Sequence, residues 1–181
     1  MLFYFNYFCE CYMKAEQKNA RYWIDNLSLT AHPEGGFFRE VYRSKEELPH
    51  ASLPSRFSGS RSFATSIYYL LEKGDFSGFH RIKSDETWHF YRGGALDLHI
   101  LDNGKYELVV IGSNIAAGNH LQYTVPAGAW FASEPSIDSW YSLLGCTVSP
   151  GFDFSDFELA HKDALLKEYS PQADLIRRLA R

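Results

Sequence analysis

The chain of 181 residues has the length of one ordinary domain, and its 45% apolar residues are enough for a substantial core. Its formal net charge of -4 excludes a general electrostatic attraction to nucleic acid or to an anionic membrane surface. Its three cysteines, Cys9, Cys11 and Cys146, form neither a disulfide framework nor a zinc motif, so we expect a reducing compartment, the cytoplasm.

The first twelve residues, MLFYFNYFCECY, are apolar and aromatic, yet they lack a basic flank and are too short to span a bilayer. We therefore predict an N-terminal extension over residues 1–13, with Met13 as a natural start, and a single domain over residues 14–181. From Lys14 to Leu27, apolar residues recur at steps of three and four, which predicts an amphipathic helix.

The middle of the chain predicts strands. From Phe37 to Tyr42, side chains of different character alternate, which predicts a strand. The polar stretch from Glu46 to Ser60, which contains two prolines, predicts a mobile loop near a pocket mouth. Further strands are predicted at short intervals between turn signals: Ser62–Leu71, Phe76–Ile82, Thr87–Tyr91, Ala95–Leu101, Tyr106–Ile111, Gln122–Val125, Trp130–Ser133 and Tyr141–Val148. This spacing is typical of an all-β sandwich or barrel. Helices are predicted near the end, at Asp163–Tyr169 and Gln172–Leu179.

One segment, GDFSGFHRIKSDETWHFYRG from Gly74 to Gly93, carries a recognisable spacing. Five residues separate Gly74 from His80, three separate Ile82 from Glu86, and six separate Glu86 from Gly93. This spacing resembles the first motif of the cupin superfamily, glycine-x5-His-x-His-x3/4-Glu-x6-glycine, with Ile82 in the place of the second histidine.

A second block, TVPAGAWF, resembles the partner motif of the cupins, with Phe131 where a further histidine is usual. The blocks HPEGGFFREVYRS, RSFATSIYYLL, FHRIKSDETWHFYRGG, VPAGAWFAS and GCTVSPGFDFSDFELA are together similar to the Cupin_5 group, once known only as a domain of unknown function. The resemblance implies a cupin double-stranded β-helix, or jelly roll barrel, with a few flanking helices. It also implies that His80 and Glu86 point into the barrel.

These two residues are the candidate catalytic pair. An inward His80 can act as general base or bind a metal, whereas the alternative is a buried histidine bonded to a neighbour. Glu86 can bind a metal, orient His80 or relay a proton, or it can be a solvated carboxylate beside Asp85. Strand alternation places Glu86 and Trp88 on one face and His89 on the other.

Ile82 and Phe131 replace two of the histidines that cupins use as metal ligands. His80 and Glu86 alone would hold a divalent metal weakly, unless another side chain joins them. The hypothesis that we favour therefore requires no cofactor, and a divalent metal remains the alternative.

The segment from Gly35 to Glu40 resembles the early strand of the sugar-nucleotide 3,5-epimerases, which are metal-free cupins with a histidine base. The resemblance implies that Arg39 and Glu40 contact a ligand, although a surface ion pair is the alternative. It also implies a small-molecule partner such as a sugar nucleotide or another carbonyl compound. We further expect a homodimer, because a second subunit could cover an exposed edge strand. Other candidate substrate-binding residues are Arg61, Tyr68, Gln122, Trp130 and Phe131, although core packing is the alternative for the two aromatic residues at 130 and 131.

The function predicted from these residues is a small-molecule isomerase or epimerase in which His80 moves a proton beside a carbonyl with the help of Glu86. Two alternatives stay open: a metal-dependent oxygenase or lyase, and a ligand-binding or sensing module without turnover. We expect no nucleic-acid partner and no membrane association.

Overall fold

The computed structural model describes residues 19–180. The predicted extension over residues 1–13, the first part of the predicted N-terminal helix, Cys9 and Cys11 lie outside the described residues. From Asn19 onward the helix is present: α1 spans Ala20–Leu27, and the Asn19 side chain caps it by accepting a hydrogen bond from the Tyr22 backbone N–H at 3.0 Å. No helix within residues 19–180 has the length and apolar character that crossing a membrane requires.

Strands dominate the described part of the chain. They are β1 Thr30–Ala31, β2 Phe37–Arg43, β3 Glu47–Leu48, β4 Arg61–Ser62, β5 Thr65–Glu72, β6 Ser77–Arg81, β7 Asp85–Gly93, β8 Leu96–Asp102, β9 Lys105–Ile111, β10 Gln122–Val125, β11 Trp130–Pro135, β12 Tyr141–Ser149 and β13 Glu158–Leu159. Two C-terminal helices follow, α2 Lys162–Glu168 and α3 Ala173–Leu179, and single 3-10 turns occupy His50–Ser52, Ile115–Ala117, Phe154–Asp156 and Ser170–Gln172.

The strands form two antiparallel sheets that face each other. One sheet has the order β1-β2-β5-β12-β7-β10 and the other β13-β6-β11-β8-β9, while β3 and β4 form a separate ribbon. Many neighbours in the sheets are distant in sequence, as in a jelly roll. The predicted all-β fold is confirmed, and the long predicted strands agree with the observed ones to within a few residues.

The two strands of the Gly74–Gly93 segment, β6 and β7, do not pair with each other. They belong to opposite sheets, so the turn between them carries the chain across the barrel. β6 pairs with β11, which places Phe131 beside His80, and β7 pairs with β12, which places Val148 beside Glu86. His80 and Glu86 therefore face each other from the two sheets.

Three apolar clusters hold this arrangement. The central one fills the space between the sheets and includes Tyr69, Trp88 and Phe131. A second lies between the outer face of the smaller sheet and the helices α2 and α3, and a third lies between the larger sheet and α1. Because both faces of the sheets are covered, strands such as β8 and β12 are buried or half-buried along almost their whole length.

The polar stretch from Glu46 to Ser60 contains elements that the sequence does not signal. It includes β3 and the 3-10 turn His50–Ser52, and its Phe57 is buried at 2% exposure. Arg56 donates a hydrogen bond to the carbonyl oxygen of Lys83 at 2.7 Å, which ties the stretch to the turn between β6 and β7.

Candidate functional site

A cavity of ≈ 110 Å³ lies between the two sheets. Its inner part is formed by buried polar side chains: Glu34, Ser77, His80, Glu86 and Cys146. Its aromatic walls are Phe38, Tyr69, Trp88, Phe152, Phe154 and Phe157. The exposed side chains of Glu40, Arg43 and Phe154 mark the end that opens to solvent.

His80 is held in one orientation inside this cavity. Its Nδ1 lies 2.7 Å from the carbonyl oxygen of Gly78 and 3.2 Å from Oε2 of Glu34. A carbonyl oxygen can only accept a hydrogen bond, so Nδ1 carries a proton. When the ring is neutral, Nε2 is therefore unprotonated, and no group within residues 19–180 is hydrogen-bonded to it. The aromatic rings of Phe131 and Phe157 pack against the imidazole at centroid distances of 4.1 and 5.4 Å.

Glu34, which sequence analysis did not single out, reaches this site from the loop before β2. Its carboxylate also accepts a hydrogen bond from Ser77 Oγ at 3.1 Å. The loop is bent tightly because Gly36 has φ +70°, and a Cβ there would lie 2.5 Å from the carbonyl oxygen of Leu70. The feature of the sequence that could have pointed to Glu34 is a charged residue between Pro33 and two glycines. Its contact with His80 arises only in the folded structure.

Glu86 faces His80 from the other sheet. It is 8% exposed, and burial raises its pKa from the ordinary 4.5 to about 7; nearby His80 opposes this rise and Glu34 adds to it. Near neutral pH the carboxyl group is thus present in both protonation states. The alternative of a solvated carboxylate does not fit this burial.

His32 is a second histidine of the cavity that sequence analysis did not identify. Its Nδ1 accepts a hydrogen bond from the backbone N–H of Glu34 at 3.2 Å, so the neutral ring carries its proton on Nε2. Burial lowers the pKa of His32, although Glu34 works in the opposite direction. A neutral His32 can therefore donate a hydrogen bond from Nε2.

The side chains around His80 do not match a metal centre of the family type. Ile82 lines the cavity and Phe131 contacts the His80 ring, so apolar groups occupy the positions where the motif comparison expects histidines. Within residues 19–180, no three His, Cys, Asp or Glu side chains are grouped as ligands for one metal ion. The residues present thus do not fit the metal that other cupins bind.

The other predicted binding residues are divided by the fold. Glu40 lines the cavity, and Phe131 touches His80. Phe131 and the five others are not among the lining residues. Arg39 and Tyr68 stack on each other on the outer face of the larger sheet, Gln122 is exposed on β10, Trp130 packs against Arg81, and Arg61 is buried in an ion pair. Strand alternation explains these positions, since Tyr69 and Phe131 point inward where their neighbours point outward.

The predicted face of β7 is confirmed. Glu86 and Trp88 line the cavity, whereas His89 lies on the outer face with Nε2 3.1 Å from Thr147 Oγ1. The bulge on β7 opposite Leu143 and Leu144 comes after these residues and leaves their alternation intact.

Arg61 lies outside the cavity lining and holds the segment that carries three of the aromatic wall residues. Its guanidinium donates two hydrogen bonds of 2.6 Å to the carboxylate of Asp156, and both side chains are almost fully buried. Arg43 Nη1 donates to the carbonyl oxygen of Phe152 at 3.0 Å. These contacts fix the segment that presents Phe152, Phe154 and Phe157 to the cavity.

Known proteins resemble this chain over most of its length. A hypothetical protein from Leishmania major has 36% sequence identity and a TM-score of 0.82, covering 90% of this chain and 99% of its own. Protein SO0799 from Shewanella oneidensis has 39% identity and a TM-score of 0.80, covering 91% of this chain and 99% of its own. The uncharacterised protein YML079W of Saccharomyces cerevisiae is 29% identical over 143 residues, 74% of this chain and 71% of its own length.

The family model described as Cupin superfamily (DUF985), Cupin_5, matches residues 21–160, which include every strand of both sheets. The match contains the loop that carries Glu34 and the strands that carry His80 and Glu86. The chain belongs to the Cupin_5 family of the cupin superfamily.

Proposed function

We propose that the cavity catalyses proton transfer on a small carbonyl compound, as an isomerase or epimerase does. One observation carries the proposal: an imidazole with a free Nε2 and a carboxyl group with a pKa raised to about 7 line the same enclosed space. A base and an acid that face one cavity are what such a reaction needs.

In the proposed reaction, Nε2 of His80 removes a proton from the carbon beside the carbonyl group. The electron pair of that C–H bond forms a C=C bond, and the carbonyl oxygen receives a proton from Glu86 or a hydrogen bond from Nε2 of His32. Return of a proton to the same carbon, while the enol oxygen gives its own proton back to Glu86, yields an epimer. Where that carbon carries a hydroxyl group, return of a proton to the former carbonyl carbon, while this hydroxyl gives its proton to Glu86, yields an isomer. The steps balance without an oxidant or a reductant.

Glu34 has a positioning role in this scheme. Its carboxylate faces the protonated Nδ1 of His80 at 3.2 Å, so it stabilises the imidazolium that forms when Nε2 takes up a proton. The hydrogen bond from Ser77 holds that carboxylate in place. Replacement of Glu34 by Gln should therefore lower the rate of proton removal and leave ligand binding largely intact.

Exchange of carbon-bound hydrogen with D₂O tests the proposal. The full chain would be incubated with glyceraldehyde, dihydroxyacetone, xylulose and glucosamine, and deuterium incorporation would be followed by proton NMR. Loss of a general base typically lowers a rate by about 10²–10⁴-fold, so His80→Asn should remove most of the exchange. His89→Asn is the matched control, because His89 is bonded to Thr147 on the outer face. Exchange equal in His80→Asn and the unaltered protein, or no exchange above buffer, would contradict the proposal.

The aromatic walls also favour a second function, ligand binding without turnover. Tyr69 and Trp88 are 3% and 2% exposed and form an edge-to-face pair, which is a rigid surface for a flat or apolar ligand. A compound that raises the melting temperature of the protein but shows no His80-dependent exchange would support this function instead.

A further inference from the structure

The charges that line the cavity are unbalanced. Glu34 and Glu86 lie in its buried part, and Glu40 lies at its mouth. Among the described residues of the lining, Arg43 is the one Lys or Arg side chain. Arg43 donates two hydrogen bonds to the carboxylate of Glu40, at 3.0 and 2.7 Å, and a third to the carbonyl oxygen of Phe152. Its charge is therefore already compensated by a neighbour.

Arg61 does not change this balance, because its guanidinium is bonded to Asp156, to Ser155 and to the carbonyl oxygen of Ser60. His80 is a further cation of the lining only when it is protonated, and it then faces Glu34 at 3.2 Å. A ligand with phosphate or carboxylate groups would thus meet buried carboxylates, and the cations of the described lining are already paired with Glu40 and Glu34. This environment penalises an anion and favours a cation or a neutral molecule.

Glu86 lacks the hydrogen bonds that a buried carboxylate normally accepts. It is 8% exposed and lines the cavity, and no N–H or O–H group within residues 19–180 donates a hydrogen bond to it. The thiol of Cys146, which lowers the pKa of Glu86, lines the same cavity. A buried carboxylate without such donors is costly, and a ligand that supplies a positive charge would relieve the cost.

Aromatic rings line the cavity that holds this carboxylate. Trp88 lies two residues from Glu86 on the same face of β7, and the Tyr69 ring packs edge-to-face on Trp88 at a centroid distance of 5.8 Å. Phe38, Phe152, Phe154 and Phe157 complete the walls. The faces of such rings attract organic cations, most strongly where the cation is removed from water.

We propose that the cavity binds a small organic cation, with its charged nitrogen between the carboxylate of Glu86 and the aromatic walls. The inference rests on the proposed function in that it names the substrate class for the same cavity: a carbonyl compound that carries an ammonium group. A positive nitrogen on the carbon that loses its proton also makes that proton more acidic, so the same charge favours binding and proton removal. With such a substrate Glu86 is ionised, and the carbonyl oxygen accepts the hydrogen bond from Nε2 of His32 instead of a proton from Glu86.

A pair of isosteric probes tests the ligand class without requiring any reaction. Choline carries a trimethylammonium group, and 3,3-dimethyl-1-butanol has the same shape without the charge. Isothermal titration of the full chain at pH 8 should show at least tenfold tighter binding of choline. Glu86→Gln should remove most of this preference, whereas the control Glu46→Gln, at an exposed position outside the lining, should keep it.

The pH dependence of choline binding provides a second measurement that needs no variant. The groups that face Glu86 are His80, Glu34, Cys146 and Tyr69. Because the Glu86 carboxyl group becomes charged around pH 7, choline affinity should rise about tenfold between pH 6 and pH 8, and the neutral probe should show no such rise.

Equal affinities for the two probes, a preference that survives Glu86→Gln, or no binding of either probe would overturn the inference. Choline has no carbonyl group, so these results leave the deuterium exchange assay with uncharged sugars as a separate test. Exchange without choline binding would refute the ligand class alone, and choline binding without exchange would refute the catalytic proposal alone.

Discussion

Substitution of Glu86 by Gln should stabilise the protein at alkaline pH. Glu86 is buried between the sheets with a pKa of about 7, so the folded state keeps a proton that the unfolded state releases above its ordinary pKa of 4.5. Gln has nearly the same size and stays neutral. The substitution therefore removes the cost of a buried charge and preserves the packing.

The magnitude follows from the difference between the two pKa values. Between pH 4.5 and about 7 the folded state binds more protons than the unfolded state, so the contribution of Glu86 to the free energy of unfolding falls as the pH rises. Across the whole window the loss amounts to about 3 kcal/mol, at 1.36 kcal/mol per pKa unit. Below pH 4.5 the carboxyl group is protonated in both states, and this contribution no longer changes.

Urea denaturation at pH 4.5, 6, 7 and 8 measures the effect. The free energy of unfolding of Glu86→Gln minus that of the unaltered protein should increase by about 3 kcal/mol between pH 4.5 and pH 8, because other titrating groups cancel in the difference. Glu46→Gln, at an exposed position, should give a difference that does not change with pH. A flat difference for Glu86→Gln would refute the reasoning about this buried carboxyl group.

Three further experiments with substituted proteins test the surroundings of the cavity. Arg61→Met should lower the free energy of unfolding by about 3 kcal/mol, because the buried Asp156 carboxylate keeps only the more distant Lys83, at 3.4 Å, as its counter-charge. Adding Asp156→Leu should restore most of this loss in urea denaturation, and a loss below about 1 kcal/mol for Arg61→Met would refute this account. The double substitution Ile82→His and Phe131→His should create a binding site for Zn²⁺ or Ni²⁺, which equilibrium dialysis would measure. Equal metal binding by the unaltered protein would contradict the conclusion that Ile82 and Phe131 leave too few ligands for a metal ion. Gly36→Ala should destabilise the protein by at least about 1 kcal/mol, since its φ is +70°, and a neutral effect would show that this bend is not required.

Much of the fold follows from local patterns in the sequence. Alternation and turn signals locate the long strands to within a few residues, and the Gly74–Gly93 motif identifies the inward direction of His80 and Glu86. The same patterns do not reveal that β6 and β7 belong to opposite sheets. The pairing of strands depends on packing between distant parts of the chain, and local periodicity in the sequence does not indicate which strands pair.

The candidate site was only partly predictable for the same reason. The proposed catalytic pair lies within one short motif, but Glu34 and His32 come from a loop more than forty residues earlier and meet His80 only in the folded barrel. The sequence alone predicts Tyr68 for the pocket, whereas Tyr69 is the residue that lines it. The reason is that the inward face of this strand cannot be determined without the register of its pairing.

The state of the His80 ring tests the central claim most directly. Nitrogen-15 NMR of the full chain, with His80→Asn used to assign its signals, distinguishes the two ring nitrogens in the neutral imidazole. The structure predicts a protonated Nδ1, held by Gly78 and Glu34, and an unprotonated Nε2 whose signal shifts when a ligand enters the cavity. A neutral ring with its proton on Nε2, or an Nε2 signal that does not respond to any bound ligand, would contradict the role of His80 as the base.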